Sequence, residues 1–403
     1  MSERLHLVLA GAALALLWAV ATTVGPFSHT TVNDLYVYRT YADLLTGGAL
    51  PYLDFDFEYP PLAALPLGLA GLPGTAEATY GVSFAVLMAG CALAGQLLAA
   101  RLAGAAGERG VHGREVVTVA WLLALAPVVI GASLRTHFDA MPIALALAGL
   151  LALARNKPEL GFALLGLGTM TKLFPGLLAV VALVWLLGRG QHRAALRGGA
   201  IFTGVVLAIS LPFVVLDAGS GSGYLESFTF HLDRPVQIES TPASVLFALG
   251  GSDVTGTNVR PDRYKSNGLD GGHADTIERL FSVLLVLVLA GVVALAARAR
   301  DARHLVLCGF AVLLAFVTLG KVFSPQYVIW LAPFAALAWA WRRRVVALLV
   351  AAAIVLTHVE FPNRYFDLIN EDQTVIWIVA ARNVLLLAAL GALVLELLRA
   401  PRT

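Results

Sequence analysis

Long runs of apolar residues, separated by shorter polar segments, repeat along the whole chain. A helix needs about 20 apolar residues to cross the hydrocarbon of a membrane, which is about 30 Å thick. Ten runs approach this length: residues 5–24, 78–102, 115–134, 140–154, 198–216, 276–297, 304–319, 327–341, 345–357 and 374–398. The pattern predicts an all-α, polytopic membrane protein.

One apolar stretch, residues 157–189, is too long for a single crossing. Thr169, Thr171, Lys172 and Pro175 interrupt it near its middle. We interpret this stretch as a hairpin of two short helices that turns at residues 171–175. With the hairpin, the prediction is about 12 transmembrane or re-entrant helices in a single integral membrane domain, residues 1–403.

The composition excludes several classes of protein. Apolar residues make up 59% of the chain and charged residues 13%, against about 45–50% and 25% in soluble proteins. The mean hydropathy is +0.80. These values exclude a soluble globular protein, a disordered chain and a nucleic-acid-binding protein.

Charge is distributed unevenly among the segments that join the predicted helices. With the N-terminus in the cytoplasm, most of the 28 basic residues but few of the 26 acidic residues fall on the cytoplasmic side. By the positive-inside rule, this distribution predicts that both termini are cytoplasmic. The first apolar run is predicted to be a retained helix, because only Arg4 supplies positive charge before it and it is too long for a typical signal peptide.

Two long polar segments are predicted on the outer side, a first loop at residues 25–75 and a large loop at residues 217–275. In the first loop, Asn33 or Asp34 can cap an amphipathic helix that ends before Gly47-Gly48 and lies on the membrane surface. The apolar run 62–72 is too short to cross and is interpreted as a re-entrant or interfacial helix.

The large loop contains two recognisable segments. Thr241-Pro242 can start a short helix that ends at residue 249. The following residues, 250–272, are rich in Gly, Asp, Asn and Arg, and we interpret them as a mobile surface loop.

Acidic residues in the first loop are candidates for acid–base chemistry. Asp34 is either a plain helix cap or a general base at the membrane interface. Asp54, Asp56 and Glu58 are spaced by two, so on an extended segment they face one way. They form a divalent-metal site, an acceptor site with Tyr59, or simply a solvated acidic loop.

Ionisable residues at the predicted ends of helices are a second group of candidates. Arg135, His137 and Asp139 lie in a tight outer turn, where they form an interfacial salt bridge or bind sugar or phosphate. Lys172, at the turn of the hairpin, either extends to the interface or binds a phosphate as a point charge.

Further polar residues fall in the other outer segments. They are Arg234, Gln237 and Glu239 in the large loop, Lys321 and Gln326 in the next outer turn, and His358 in the last one. Each by itself is consistent with simple solvation. Together they are predicted to form a polar ring around one outer cavity.

The first loop resembles glycosyltransferase family 87. The resemblance rests on Asp34, Tyr38, Ala42, Gly48, Pro51-Tyr52 and Tyr59-Pro60-Pro61-Leu62, and continues through Lys172-x-x-Pro175, Gln237-x-Glu239-Ser240 and Phe323-Ser324-Pro325-Gln326-Tyr327. It implies the multi-pass C-type glycosyltransferase fold. It also implies transfer of a sugar, mannose in the type activity, from a polyprenyl-phosphate donor to an acceptor hydroxyl with inversion.

The resemblance also implies roles and a setting. Asp34 would be the base, Lys172 with Arg135 or His137 would hold the phosphate, and one of Asp54, Asp56 and Glu58 is the alternative base. The acceptor would be a glycolipid or a polysaccharide on the outer face of a bacterial cytoplasmic membrane. No metal or other cofactor is required, although a divalent cation is compatible with the acidic segment.

The same sequence pattern is also consistent with other functions. About 12 crossings with both ends inside is also typical of a secondary transporter or a lipid flippase, although transporters place their sites near the middle of the bilayer. A different sugar, or a non-catalytic scaffold that keeps the fold, are further alternatives. The chain has no Walker-type loop, so ATP-driven transport has no support.

Overall fold

The computed structural model describes residues 2–107, 112–217, 223–260, 264–298 and 301–399. It is built almost entirely of helices, as the apolar runs predict. The helices are α1 (Glu3–Val24), α2 (Leu35–Thr46), α3 (Ala64–Gly71), α4 (Glu77–Ala106), α5 (His112–Ala124), α6 (Ala126–Ile130), α7 (Ser133–Thr136), α8 (Ala140–Ala154), α9 (Pro158–Thr171), α10 (Pro175–Gly188), α11 (His192–Asp217), α12 (Gly223–Asp233), α13 (Thr241–Leu249), α14 (Ala274–Leu295), α15 (Ala302–Leu319), α16 (Tyr327–Ala340), α17 (Arg344–Glu360), α18 (Tyr365–Ile369) and α19 (Gln373–Arg399).

Within the described residues, seven helices are long and apolar enough to cross a membrane. They are α1, α4, α5 continued through α6, α11, α14, α15 and α19. Shorter apolar helices of 10–17 residues include α8, α10 and α16. The chain is therefore a multi-pass membrane protein, and the number of 12 crossings stays a prediction.

The helices differ in how much of their surface neighbouring helices cover. Helix α15 lies in the centre, where nearly every side chain from His304 to Leu319 is buried. Helix α14 lies at the periphery, and Leu280, Val283 and Leu287 are each more than half exposed. Apolar side chains exposed along one face of such a helix are expected to contact lipid.

Three sequence predictions on local structure agree with the observed elements. Helix α2 spans Leu35–Thr46 and ends before Gly47-Gly48. The stretch 157–189 folds into α9 and α10, with the turn at Lys172. A 3-10 turn at Pro61–Ala63 and helix α3 form the short apolar helix of the first loop.

The predicted span 115–134 is interrupted. Helix α5 ends at Ala124, and the short helices α6 and α7 follow around Pro127 and Gly131. Gly131 has φ +61°, and a Cβ there would lie 2.0 Å from the carbonyl oxygen of Phe27. Only glycine fits this close approach. The contact holds α7 against the first loop, where the amide of Ala132 donates to Phe27 O at 2.8 Å.

The prediction that residues 250–272 form a loop is wrong for residues 252–260 and 264–271, which form strands. Strands β2 (Ser252–Arg260) and β3 (Tyr264–Gly271) pair antiparallel there, and β1 (Val236–Gln237) joins them in the order β1-β3-β2. Val254, Thr255 and Thr257 favour strands, which the abundance of glycine in the segment obscured. Residues 218–222 and 261–263 of the predicted large loop lie outside the described residues.

Candidate active site

Asp34 occupies the N-cap position of α2, yet its carboxylate does not cap the helix. Asn33 supplies the local hydrogen bond instead, because its Oδ1 accepts from the amide of Leu35 at 2.9 Å. Asp34 Oδ2 accepts from the hydroxyl of Tyr38 at 3.1 Å, and its side chain is 35% exposed. Asp34 thus has a fixed carboxylate with access to solvent.

His137 faces this carboxylate from α7. Its Nε2 lies 3.5 Å from Asp34 Oδ2, and the ring is buried. Its Nδ1 lies 3.1 Å from the carbonyl oxygen of Ser133, which can only accept, so Nδ1 carries a proton. We call Asp34, Tyr38 and His137 the Asp34 cluster.

Asp139 and Lys172 form a buried ion pair next to the Asp34 cluster. Lys172 Nζ lies 2.7 Å from Asp139 Oδ1, which also accepts from the indole N–H of Trp330. Asp139 is fully buried, and its Oδ2 has no hydrogen-bond partner among the described residues. The ammonium also lies 4.9 Å from the ring centroid of Phe138. Lys172 therefore joins the turn between α9 and α10 to the start of α8.

The acidic segment of the first loop divides into two parts. Asp54 lies in a turn rather than on an extended segment, and its Oδ2 accepts from the amide of Leu50 at 2.7 Å. Asp56 is half-buried in the extended part that follows. The prediction that Asp54, Asp56 and Glu58 all face one way is therefore wrong at Asp54, because Tyr52 turns the chain with φ +68°.

Glu58 and Tyr59 lie beside the Asp34 cluster. Burial, together with the negative charge of Asp34, raises the pKa of Glu58, whereas Arg234 and Lys172 lower it. The ring of Tyr59 packs edge-to-face on Phe138, with centroids 5.0 Å apart. The electrostatic neighbours of Glu58 show that the first loop, the α9–α10 turn and the large loop meet at this point.

A second group of polar residues is sealed in the protein. Gln237, Glu239, Glu360, Arg382 and Asn383, which we call the Arg382 cluster, are each at most 5% exposed. Gln237 Nε2 donates to Glu239 Oε2 at 2.6 Å, and Arg382 donates to the carbonyl oxygen of Glu239. The Arg382 guanidinium also lies 3.6 Å from the ring centroid of Phe323.

One proton is needed within the Arg382 cluster. The carboxyl groups of Glu239 and Glu360 contact each other, and two carboxylates accept but cannot donate. Burial raises the pKa of Glu239 to about 7, and the positive charge of Arg382 opposes this increase. Ionising Glu239 and Glu360 at the same time would therefore cost much free energy.

The residues of the predicted polar ring thus belong mainly to the Asp34 cluster and the Arg382 cluster, and His358 lies between these two clusters. His358 is buried in α17, and its Nε2 lies 3.2 Å from Ser133 Oγ. The carbonyl oxygen of the same Ser133, in α7, contacts His137 Nδ1. Lys321 forms an ion pair with Glu278 at 2.7 Å. Gln326 occupies the N-cap position of α16 without a side-chain cap.

The sequence candidates did not include several residues that contribute to these sites. These are Trp330, Arg382, Asn383 and, as a hydrogen-bond donor to Asp34, Tyr38. Arg382 and Asn383 lie inside the apolar run 374–398. An ionisable residue in such a run is a functional or structural signal that would have identified them. Among the described residues, no group of three or more His, Cys, Asp or Glu side chains is arranged to hold a metal ion.

Comparisons with known proteins point to one enzyme class. The model of glycosyltransferase family 87 matches residues 57–325. The chain is 29% identical over 343 residues to the GPI alpha-1,4-mannosyltransferase I catalytic subunit of Danio rerio, covering 80% of this chain and 78% of that protein. Asp34, His358 and Arg382 lie outside the segment matched by the family model.

The fold is also similar to a solved structure. The crystal structure of ArnT from Cupriavidus metallidurans in the apo state aligns with a TM-score of 0.50 and 15% sequence identity. The alignment covers 96% of this chain and 76% of that one. The architecture is therefore that of the C-type membrane glycosyltransferases.

Proposed function

Because this chain belongs to glycosyltransferase family 87, we propose that this membrane glycosyltransferase transfers mannose from a polyprenyl-phosphate donor to an acceptor hydroxyl. The similarity to a mannosyltransferase supports the choice of sugar. The acceptor is a glycolipid or a polysaccharide. We infer that the reaction takes place on the outer face of a bacterial cytoplasmic membrane, with both termini in the cytoplasm. The excess of basic residues in the predicted cytoplasmic segments supports the orientation of the termini.

The solvent-accessible carboxylate of Asp34 is the observation that supports this proposal. In the reaction, the acceptor oxygen attacks the anomeric carbon as the bond from that carbon to the phosphate oxygen breaks. The hydroxyl proton passes to Asp34 Oδ1 or Oδ2, and the polyprenyl phosphate leaves. A base for this step must reach the hydroxyl directly, and Asp34 is held by Tyr38 while remaining open to solvent.

The departing phosphate needs a cation or hydrogen-bond donors. Arg135 is positioned by one bond, in which its Nε donates to the carbonyl oxygen of Thr22 at 2.8 Å. Lys172 is bound to Asp139, and this pair keeps a positive charge close to Glu58. We therefore assign the phosphate contact to Arg135 and a positioning role to Lys172. No metal or other cofactor enters this scheme.

The test is an assay of membranes with radiolabelled polyprenyl-phospho-mannose, comparing wild type with Asp34→Asn. General base catalysis contributes about 10²–10⁴-fold, so transfer of label into a new product should fall by that factor. Asp43→Asn is the matched control, because Asp43 lies on the same helix and only accepts from Thr75 Oγ1 at 2.8 Å. It should keep near wild-type transfer.

Other results would redirect the assignment. Full activity of Asp34→Asn would exclude Asp34 as the base, and Glu58→Gln and Asp56→Asn would be tested next. Label that crosses the membrane without chemical change would support the transporter alternative. Transfer from a different polyprenyl-phosphate sugar, but not from the mannose donor, would retain the reaction and change the sugar.

A further inference from the structure

A series of contacts connects α17 with the carboxylate of Asp34. His358, near the end of α17, has its Nε2 3.2 Å from the Oγ of Ser133, the first residue of α7. The carbonyl oxygen of the same Ser133 lies 3.1 Å from Nδ1 of His137, which directly follows α7. His137 Nε2 lies 3.5 Å from Asp34 Oδ2. The series therefore runs from His358 through Ser133 and His137 to Asp34.

Helix α7 depends on contacts with other segments for its position. It is a single turn of four residues, and so short a helix is not stable by itself, because helix nucleation is unfavourable. On one side, the amide of Ala132 donates to Phe27 O at 2.8 Å. Arg135 Nε donates to Thr22 O at 2.8 Å on the same side. His358 adds a contact from a different segment, so α7 is held between the first loop and α17.

Main-chain partners fix the direction of the hydrogen bonds in this series. His358 Nδ1 lies 2.9 Å from Ile354 O, which can only accept, so this nitrogen carries a proton. In a neutral imidazole Nε2 is then the acceptor, and it receives the hydroxyl proton of Ser133. His137 Nδ1 in turn donates to the carbonyl oxygen of Ser133. The bond at one ring nitrogen determines the role of the other, so His137 turns Nε2 toward Asp34.

The end of α17 is itself fixed on its other side. Glu360 follows His358 by two residues, and side chains two apart point to different sides of a helix. Glu360 belongs to the sealed Arg382 cluster, whereas His358 faces α7, and both are at most 3% exposed. Phe361, the next residue, packs on the ring of His137 with centroids 6.5 Å apart. The anchor that holds α7 is therefore buried and constrained from two directions.

We propose that His358 is a positioning residue of the transferase, which holds His137 through Ser133 and thereby orients the carboxylate of Asp34. The inference rests on the proposed function, in which Asp34 is the base. A small misplacement of a catalytic group lowers the rate even when the substituted residue lies away from the chemistry. Loss of the bond between His358 and Ser133 should therefore lower kcat and leave KM for the donor unchanged.

Two substitutions of His358 separate the roles of its ring nitrogens. The amide of His358→Gln reaches the place of Nε2 and can accept from Ser133 Oγ, whereas the amide of His358→Asn reaches only the place of Nδ1, beside Ile354 O. In the mannose-transfer assay, His358→Asn and Ser133→Ala should lower kcat about 3- to 10-fold, and His358→Gln should stay within about 2-fold of wild type. Thr357→Val is the matched control, because the Thr357 hydroxyl donates within α17, to Ala353 O at 2.8 Å.

Combination with His137→Ala tests whether the effect passes through His137. His358→Asn should lower kcat in the wild-type background but not in His137→Ala, because a contact that is already removed cannot be lost twice. An equal loss in both backgrounds would overturn the inference. Equal kcat in His358→Asn and His358→Gln, with melting temperatures lowered alike, would assign His358 a structural role instead.

A spectroscopic measurement separates this inference from the proposed function. The full chain is labelled with ¹⁵N-histidine in nanodiscs, and the ring signals of His137 are assigned from their loss in His137→Gln. These signals should shift in His358→Asn and stay in place in Thr357→Val. Unchanged His137 signals in His358→Asn would overturn the inference even if Asp34 proves to be the base. A shift would support the positioning of His137 by His358 even where no mannose transfer is detected.

Discussion

The Asp34 cluster and the Arg382 cluster are both built from acidic and basic side chains, but they differ in access to water. The side chain of Asp34 is 35% exposed, and its contacts with Tyr38 and His137 hold it without capping a helix. The Arg382 cluster is sealed, and several of its polar atoms have no partner among the described residues. An exposed, oriented carboxylate can exchange a proton with a substrate. A sealed network instead joins segments of the chain.

The Arg382 cluster joins three parts of the fold. Glu239 follows β1, Glu360 ends α17, and Arg382 lies within α19. Asn383 adds a bond to Ser244 Oγ at 2.8 Å, on α13. The cluster therefore fixes the three-stranded sheet and α13 against α17 and α19. Its loss should affect stability first and activity only as a consequence.

The largest effect on stability is expected for Arg382→Ala. It leaves the carboxyl groups of Glu239 and Glu360 without a nearby positive charge, and an uncompensated buried charge typically costs about 3–5 kcal/mol. The melting temperature in detergent should fall clearly. Arg364→Ala is the control, because the Arg364 ion pairs with Asp367 and Asp372 are exposed and should contribute about 0–1 kcal/mol.

A second variant sharpens this result. If the cost arises from unbalanced charge, Arg382→Ala combined with Glu360→Gln should recover part of the lost stability, because a neutral buried network needs no compensating cation. A melting temperature equally low in the single and double variants would assign the effect to lost packing on Phe323 instead.

The next largest expected effect is the dependence of the melting temperature on pH. Burial raises the pKa of Glu239 to about 7, well above its value in the unfolded chain. The stability that its protonated form contributes is complete below about pH 4.5 and is lost as the pH rises through about 7. We therefore expect the melting temperature of wild type to decrease from pH 5 to pH 8, and the decrease to be smaller in Glu239→Gln. Identical slopes in both proteins would contradict this assignment.

The two clusters also differ in how far the sequence predicts them. Apolar length predicted most helices, and the glycines after Thr46 predicted the end of α2, because these signals are local. Arg382 could have been predicted as a functional or structural residue, because it is an arginine within an apolar run. By contrast, the pairing of Asp34 with His137 depends on the contact of Gly131 with Phe27. A contact between segments about 100 residues apart leaves no periodic pattern in the sequence.

The same reasoning explains the assignments that changed with the structure. The spacing of Asp54, Asp56 and Glu58 predicted one shared face, but the turn at Tyr52 separates Asp54 from the others. Lys172 was predicted from its place in the turn, whereas its partner Asp139 lies on another helix. Residue type and local position thus identified candidates, and tertiary contacts determined which of them lie together in the folded chain.

The smallest effect separates positioning of Asp34 from catalysis by Asp34. His137 Nε2 lies 3.5 Å from Asp34 Oδ2, and the His137 ring is buried, so we expect His137 to orient the base without contacting the substrate. His137→Ala removes this contact and should lower kcat about 10-fold, with KM for the donor unchanged, because the base loses one of the two contacts that orient it. His137→Gln places an amide N–H near the former Nε2 and should restore part of kcat. If His137→Ala instead lowers the melting temperature and His137→Gln restores stability without restoring kcat, the role of His137 is structural.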